Sequence, residues 1–256
     1  MGAVLEASSL ETPLKEIENK LKQNTGDDYK KSKQYQDFVR KAEELTKLAR
    51  KPIETEEEYK KLLEKVARER RVDDWIPDEK GLKLMQTLGL TKEEMFIVRV
   101  YTGESYEAMN KLLRGTAGFS ENVAELDRVA RAVLERALAN YRGNVKRQIH
   151  SGDFGDLKQK FLSDHTTPGT IVKWNAFTST TREGGEDFCK ACDVRFEIRG
   201  AKGFYIDDIS NYPGEEEVLM NSGMLYRVVS CEKRNGVYHI VLEVVDDAGG
   251  KEVKQW

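Results

Sequence analysis

Hydrophobic positions in the first third of the chain recur every three or four residues and are separated by charged residues. One series runs from Tyr35 to Leu45 and another from Tyr59 to Val66. This period is that of one helix face packed against a core. The pattern therefore predicts that residues 1–88 form a region of charged, amphipathic helices.

The helical pattern continues after residue 88, where polar residues mark the helix starts. Thr91 and Glu94 have the spacing of a capping box, in which each side chain bonds the backbone N–H of the other residue. Ser105 and Ser120 stand where a hydroxyl group caps a following helix. Three further helices are therefore predicted before the pattern changes.

From Tyr141 onward, short runs of β-branched and aromatic residues alternate with Gly, Asn and Asp, as strands and turns do. Asn235-Gly236 lies between the last two runs and predicts a hairpin turn. Helices followed by a series of strands predict an α+β fold with a mostly antiparallel sheet. The chain has neither a G-x-G-x-x-G nor a P-loop pattern, which disfavours a Rossmann-type cofactor site.

Charge and hydropathy narrow the classes of partner. The 256 residues include 42 Lys and Arg against 45 Asp and Glu, a net charge of -3. This balance disfavours a nucleic-acid partner, because phosphate contacts need a basic surface. No apolar stretch approaches the roughly 20 residues that span a bilayer. The first residues also lack the basic and apolar regions of a secretory signal peptide.

The chain has three cysteines, too few for a disulfide framework at this length, so we expect reduced thiols. Two of them form a single Cys189-x-x-Cys192 pair. Because there is no second pair and no histidine at ligand spacing, no metal site is expected.

Candidate chemistry is concentrated in the segment around Glu215, Glu216 and Glu217. In a strand, residues two apart point to the same face, so Glu215 and Glu217 would project together while Glu216 points away. Two neighbouring carboxylates disfavour each other's ionisation unless a ligand or cation lies between them. The segment is either a charged strand entrance or half of a site that needs partners elsewhere.

Two segments offer such partners. Arg142 is suited to bidentate binding of a phosphate, and Gly143 after it allows the backbone to approach a ligand closely. Ser179 and Thr180 lie in a hydroxyl-rich strand end. Taken singly, the arginine also fits an ordinary surface position and the hydroxyl residues also fit ordinary strand composition.

Taken together and in this order, these segments resemble the arginine-serine-glutamate class of mono-ADP-ribosyltransferases, the bacterial exoenzyme toxins. The three matching motifs are Tyr141-Arg142-Gly143, Phe177-Thr178-Ser179-Thr180-Thr181 and Glu215-Glu216-Glu217-Val218-Leu219. A fourth match is similar to the helix that opens the catalytic domain of the actin-modifying toxins; it comprises Tyr101-Thr102-Gly103, Tyr106, Asn110 and Leu113-Arg114. The resemblance covers roughly residues 89 to 246.

The resemblance implies a division of the chain and a fold. Residues 1–88 would be a helical region for delivery, docking or regulation. Residues 89–256 would be the catalytic domain, with two mostly antiparallel β-sheets flanked by helices.

The resemblance also implies NAD as co-substrate and a role for each motif. Arg142 would hold the NAD pyrophosphate, with the Gly143 backbone facing the nicotinamide amide. Ser179, supported by Thr180, would orient the catalytic Glu217. Glu217 would bind the 2′-OH of the nicotinamide ribose and stabilise the oxocarbenium-like charge that develops as nicotinamide leaves.

The remaining implied contacts concern the acceptor and the rest of NAD. Glu215 would contact the incoming arginine, since glutamate at this position of the family goes with arginine acceptors. Tyr212 would touch the target protein, although it is equally compatible with packing in the turn. Further NAD contacts would come from Tyr101, Tyr106, Asn110 and Phe188.

These expectations describe a toxin or secreted effector that cleaves NAD at the nicotinamide–ribose bond and transfers ADP-ribose to an arginine of a target protein. The target would belong to a host or a competitor, and an immunity protein or an export chaperone would be a further partner. Secretion would use a route independent of a signal peptide, with action in the target-cell cytosol. The alternatives are a nucleic-acid or small-molecule acceptor, an NAD glycohydrolase, and a non-catalytic binding module.

Overall fold

The computed structural model describes residues 30–114, 121–185, 189 and 191–256. Most of its helices precede the sheet, as the pattern predicts. Within the described residues the helices are α1 (Lys33–Arg50), α2 (Glu56–Glu69), α3 (Glu79–Leu88), α4 (Lys92–Val100), α5 (Tyr106–Arg114), α6 (Glu121–Arg136) and α7 (Lys158–Thr166). None of them is long and apolar enough to cross a bilayer.

Side-chain caps fix several helix starts. Thr91 and Glu94 form the predicted capping box at the start of α4. Ser105 does not show the predicted cap: a π-helical segment with a break at Gly103 leads into α5, and the Ser105 hydroxyl accepts a hydrogen bond from Arg70 instead. Ser120 lies outside the described residues.

Eight strands form the sheet of the described residues. They are β1 (Tyr141–Ile149), β2 (Ile171–Trp174), β3 (Thr178–Arg182), β4 (Val194–Tyr205), β5 (Glu217–Met220), β6 (Met224–Arg234), β7 (Val237–Val245) and β8 (Val253–Gln255). Their order is β1-β3-β5-β4-β7-β6-β2-β8, and β1 also pairs with β4. The strands β1, β3, β5 and β4 therefore close into a ring, and the remaining strands extend from β4.

Most strand pairs are antiparallel, as predicted. The parallel pairs are β4 with β7 and β2 with β8. Asn235 and Gly236 adopt positive φ values of 50° and 83° and form the predicted hairpin turn between β6 and β7. Helix α7 and strand β8 were not anticipated.

The helices α2 and α3 share one hydrophobic core with the helices and strands that follow them. This core includes Tyr59 and Val66 of α2 and Leu88 of α3, together with Val98 of α4 and Leu219 of β5. A second core lies between the sheet and α7. Residue 88 therefore does not separate two cores.

The expectation of reduced thiols is wrong for two of the three cysteines. Cys189 and Cys192 form a disulfide, whereas Cys231 is free. The physical reason is a local turn, in which the Cys192 N–H donates to the Cys189 carbonyl and the two Cα atoms lie 5.3 Å apart. Such short-range closure needs no larger disulfide framework.

Candidate active site

Glu217 is a buried carboxylate at the first position of β5. It is 6% exposed and stands opposite Thr181 of β3. Burial raises the pKa of Glu217 above its usual value, and the Glu215 carboxylate raises it further. Side-chain hydrogen bonds from Ser179 and Ser210 oppose this rise in the pKa. Glu217 is thus held in a dry position by two hydroxyl donors.

The turn before β5 places Glu215 beside Glu217. The Asp207 carboxylate accepts hydrogen bonds from the N–H groups of Gly214, at 3.1 Å, and Glu216, at 2.8 Å. Glu216 adopts a left-handed conformation with φ 51°, and its side chain pairs with Arg182 on the surface. Strand β5 begins only at Glu217, so Glu215 is not part of a strand. The turn, and not the alternation of side chains along a strand, therefore brings the two carboxylates together.

Glu215 itself is half-buried. Its pKa is raised by burial and by the neighbouring Asp207 carboxylate. A carboxylate in this setting accepts a proton more readily than one in water, and it lies at the accessible side of the buried Glu217.

The loop that carries these carboxylates is anchored to the end of α4. The Arg99 guanidinium donates to the Ile209 carbonyl at 2.5 Å and to the Asn211 side-chain oxygen at 2.9 Å. The Asn211 amide also donates to the Thr102 hydroxyl at 3.0 Å. Tyr212, the next residue, is 48% exposed and stands free for contact with a larger molecule.

Strand β3 supplies the hydroxyl groups of the site. Ser179 lies opposite Leu219, two residues beyond Glu217, and its side chain reaches the Glu217 carboxylate. The buried Thr180 hydroxyl donates to the Val218 carbonyl at 2.6 Å and so fastens β3 to β5. Ser179 therefore lies beside the carboxylate, and Thr180 holds the strand that carries Ser179 against β5.

The structure does not bring Arg142 or Gly143 to this group. The two residues lie near the start of β1, paired with Lys202 and Ala201 of β4, and the Arg142 side chain is exposed to solvent. A bulge follows them before Val145. They are therefore located on the side of the ring formed by β1 and β4, away from the end of β1 that faces Ser179.

The arginine that reaches the group is Arg147, five residues further along β1. Its guanidinium donates to the Ser179 carbonyl, and its charge acts on Glu217 and on Tyr101 and Tyr106. Strands β1 and β3 pair only at Val145 and Lys146 and then separate. Arg147 is the first residue of β1 in this gap, which explains why its side chain can enter the site.

A cavity opens where β1 and β3 separate. Its cationic lining residues are Arg114, Arg147 and Lys160, and its aromatic lining residues are Phe154, Phe161, Trp174, Phe196 and Trp256. The Arg114 and Arg147 guanidiniums lie close together. Burial lowers the pKa of Arg114, and the charge of Arg147 lowers it further. Two adjacent guanidiniums beside aromatic rings suit a ligand with phosphate and base groups.

The predicted residues of the opening helix differ in burial. Tyr101 is buried and its hydroxyl accepts a hydrogen bond from the Asn110 amide at 3.0 Å. Burial raises the pKa of Tyr101 to about 12, so its phenol stays protonated at neutral pH. Tyr106 is 50% exposed. Phe188 lies outside the described residues.

Comparison with known proteins places this geometry in a family. Residues 55–247 match the family model described as ADP-ribosyltransferase exoenzyme. The chain belongs to this family. The match begins at the cap of α2, so α2 and α3 fall inside the family region while α1 precedes it.

Two curated relatives are named as arginine ADP-ribosyltransferases. The chain is 29% identical over 159 residues to the putative NAD(+)–arginine ADP-ribosyltransferase Mav of Mycobacterium avium, a match covering 61% of this chain and 18% of that protein. It is 28% identical over 171 residues to the NAD(+)–protein-arginine ADP-ribosyltransferase Tre1 of Serratia proteamaculans, covering 64% and 34%. The chain thus matches about a fifth to a third of the length of these relatives.

Solved structures confirm the ADP-ribosyltransferase fold. The crystal structure of the type III effector XopAI from Xanthomonas axonopodis pv. citri superposes with a TM-score of 0.58 at 17% identity. The match covers 82% of this chain and 93% of that one. The predicted α+β exoenzyme fold is therefore confirmed.

Proposed function

We propose that this protein is an NAD-dependent mono-ADP-ribosyltransferase that transfers ADP-ribose to arginine. The observation that carries the proposal is the buried Glu217 carboxylate, bonded by Ser179 and Ser210 and flanked by Glu215 and Arg147. Membership of the exoenzyme family and the names of the relatives support it.

Glu217 is the residue suited to the bond-breaking step. When nicotinamide leaves, positive charge develops on the ribose, and a fixed carboxylate at low dielectric stabilises that charge strongly. Ser179 and Ser210 keep the carboxylate in one orientation without neutralising it. Removing such a group is expected to cost about 3 kcal/mol of transition-state stabilisation, or roughly 10²–10³ in rate.

Glu215 is the residue suited to the acceptor. An arginine side chain is protonated in water and is a poor nucleophile until it loses a proton. A carboxylate can bind the guanidinium bidentately and accept that proton. The raised pKa of Glu215 favours this transfer. Tyr212, exposed on the same loop, would contact the protein that carries the arginine.

Arg147, with Arg114 beside it, takes the phosphate-binding role that the sequence motif assigned to Arg142. Both guanidiniums line the cavity, and Arg147 also interacts with the Glu217 charge, whereas Arg142 lies opposite Lys202 of β4 and faces solvent. The pyrophosphate of NAD would neutralise the repulsion between Arg114 and Arg147.

The first experiment measures nicotinamide release from NAD with and without agmatine, a free guanidine acceptor. Release that agmatine accelerates, and that Glu217→Gln reduces by about 10²–10³, is the expected result. Glu215→Gln is expected to keep hydrolysis and lose transfer to agmatine. Release by the parent that no acceptor accelerates would instead identify an NAD glycohydrolase, and no release at all would overturn the enzyme assignment.

A matched pair of variants on one strand tests the arginine. Arg147→Ala is expected to raise the KM for NAD at least about tenfold, since a charge-assisted contact contributes about 1.5–3 kcal/mol. Arg142→Ala, five residues away on β1, is expected to leave the KM within about twofold. The opposite pattern would restore the sequence-based assignment of Arg142.

The cellular setting follows the same proposal. We propose a secreted effector that reaches the target-cell cytosol by a route independent of a signal peptide and modifies a protein of a host or competitor. An immunity protein or an export chaperone is proposed as a further partner. Incubating the parent and Glu217→Gln with labelled NAD and target-cell extract tests this, because labelled protein should appear only with the parent.

A further inference from the structure

The loop between β3 and β4 and the residue after β1 together form a cluster that the proposed function does not use. The Cys189 and Cys192 sulfurs and a ring nitrogen of His150 all lie within 4.8 Å of one another. The His150 Nε2 atom is 3.5 Å from the Cys189 sulfur. A disulfide needs no third partner, so the position of this imidazole is the feature that calls for an explanation.

The sheet itself brings the three residues together. Ile149, the last residue of β1, pairs with Val194, the first residue of β4. His150, directly after β1, and Cys192, two residues before β4, therefore lie side by side at the same end of this strand pair. Cys192 follows Cys189 across a single turn.

Hydrogen bonds hold this arrangement from both sides. The Gln148 side-chain oxygen accepts the Cys189 N–H at 2.7 Å. The Asp193 carboxylate accepts the Ser151 N–H at 2.6 Å and the Ser151 hydroxyl at 2.5 Å. The residues next to each potential ligand are thus fastened to each other, as the supporting contacts of a metal centre are.

We infer that Cys189, Cys192 and His150 form a site for a thiophilic divalent cation such as Zn²⁺ once the disulfide is reduced. Two thiolates and one imidazole are a ligand set that zinc accepts, with water in the fourth position. His150 is exposed and Cys189 half-buried, so an ion can enter, while Cys192 is 3% exposed and shields the sulfur side. A Cys-x-x-Cys pair alone does not indicate this site; the His150 imidazole, directly after β1, does.

Reduction is the step that opens the site. A dithiol reductant attacks one sulfur of the disulfide, and its second thiol then releases the protein sulfur, leaving two protein thiols and an oxidised reductant. The two thiols lose their protons when the metal binds. A reducing cytosol favours the dithiol form, and an oxidising exterior favours the disulfide.

The bound ion would join the β3–β4 loop to the end of β1. His150 lies three residues beyond Arg147, which donates to the Ser179 carbonyl beside the candidate active site. The site is independent of the proposed activity, and its test requires no NAD.

The test is metal binding by the whole chain, measured by competition with a chromogenic zinc chelator. The protein reduced and freed of reductant is expected to take up one equivalent of Zn²⁺, and the protein with its disulfide intact is expected to take up none. His150→Ala is expected to weaken binding by at least about tenfold. Cobalt substitution should give thiolate-to-metal absorption in the reduced parent.

Two variants serve as controls because the chain offers matched residues elsewhere. His239→Ala removes another histidine and Cys231→Ser removes the free thiol, and both should bind zinc as the parent does. Circular dichroism verifies that each variant is folded. Absence of stoichiometric binding by the reduced parent would overturn the inference, and so would equal affinity in His150→Ala.

Discussion

At the scale of a single residue, opposing effects act on the ionisation of Glu217. Burial and the Glu215 carboxylate favour the protonated form, whereas hydrogen bonds from Ser179 and Ser210 favour the carboxylate. The proposed reaction needs the carboxylate. The two hydroxyl donors therefore favour the charged form that the proposed reaction needs.

Removing one donor should shift this balance in a known direction. In Ser179→Ala the pKa of Glu217 is expected to rise further, because a contact that lowers it is lost. The acid limb of the kcat/KM profile should therefore move to higher pH. At neutral pH the rate should fall by about 10–100-fold, as expected for a hydrogen bond to a charged group.

The measurement is a pH–rate profile of nicotinamide release by the parent and by Ser179→Ala. Ser230→Ala, at an exposed position of β6, is the control and should match the parent. A uniform loss of activity with an unmoved acid limb would mean that Ser179 does not act through the ionisation of Glu217.

Asp127 in α6 is a second buried carboxyl group, but it lacks the hydrogen bonds that Glu217 receives. It is 0% exposed, and neither side-chain oxygen has a hydrogen-bond partner among the described residues. Burial raises its pKa well above the usual value. The folded state therefore retains a proton that the unfolded state loses, and stability is lost as pH rises through the raised pKa.

Asp127→Asn removes this dependence by providing a side chain that stays neutral. The variant is expected to be more stable than the parent at pH 8, by at least about 1 kcal/mol, and the difference should shrink towards pH 4. Thermal unfolding at both pH values measures it. The control Asp153→Asn, at an exposed position, should leave the stability unchanged at both pH values. A gain in stability of Asp127→Asn that is the same at both pH values would contradict the explanation.

The residue scale also shows what a sequence motif can and cannot indicate. Ser179 and Glu217 lie on segments whose composition predicts strands, but they approach each other because β3 pairs with β5, a contact between distant segments. Arg142 matches the motif by its neighbours in the sequence, yet Arg147 enters the site. What decides between them is the point where β1 and β3 separate, and the sequence of β1 alone does not contain that information.

At the scale of elements, α1 supports the end of α5. The last carbonyls of a helix lack partners within the helix. The Thr46 hydroxyl donates to the Leu112 carbonyl at 3.1 Å, and the Arg50 guanidinium donates to the Leu113 carbonyl at 3.0 Å. Arg114, which lines the cavity, follows immediately. Helix α1, outside the family match, thus fixes a residue of the proposed NAD site.

Arg50→Ala should therefore affect substrate binding more than chemistry. We expect the KM for NAD to rise several-fold, up to about tenfold, with kcat within about twofold of the parent, because the loss of one supporting hydrogen bond costs about 1–2 kcal/mol. Arg40→Ala is the matched control, since Arg40 lies on the same helix and is paired with exposed Asp37. Equal KM values for the two variants would contradict this role for α1.

Elements themselves were predicted well where their signals are local. The capping box of α4 and the turn at Asn235 are set by residues within a few positions, and both are confirmed. The order of the strands, and the closure of β1 onto both β3 and β4, depend on contacts between distant segments. Helix α7 was missed because its sequence, KQKFLSDHT, lacks a clear hydrophobic stripe.

At the scale of the whole molecule, one hydrophobic core extends across residue 88, where the sequence predicts a division into two regions. Helices continue on both sides of this position, up to Arg136, and the strands begin only at Tyr141. The helices before residue 89 contribute buried side chains such as Tyr59 and Val66 to the core that also holds Leu219 of β5. We therefore expect folding of residues 89–256 to be coupled to α2 and α3.

A chain of residues 89–256 should accordingly fail to fold. It would lose the Tyr59 hydrogen bond to the buried Glu94 and would leave Arg128, whose side chain is 8% exposed, without its partner Glu58. A domain is stable by only about 5–15 kcal/mol, so losing these contacts together with the buried side chains of α2 and α3 removes a large part of its stability. We expect no cooperative thermal transition for this fragment, compared with a clear transition for residues 30–256. A cooperative transition in both would show that residues 89–256 fold independently and would restore the division at residue 88.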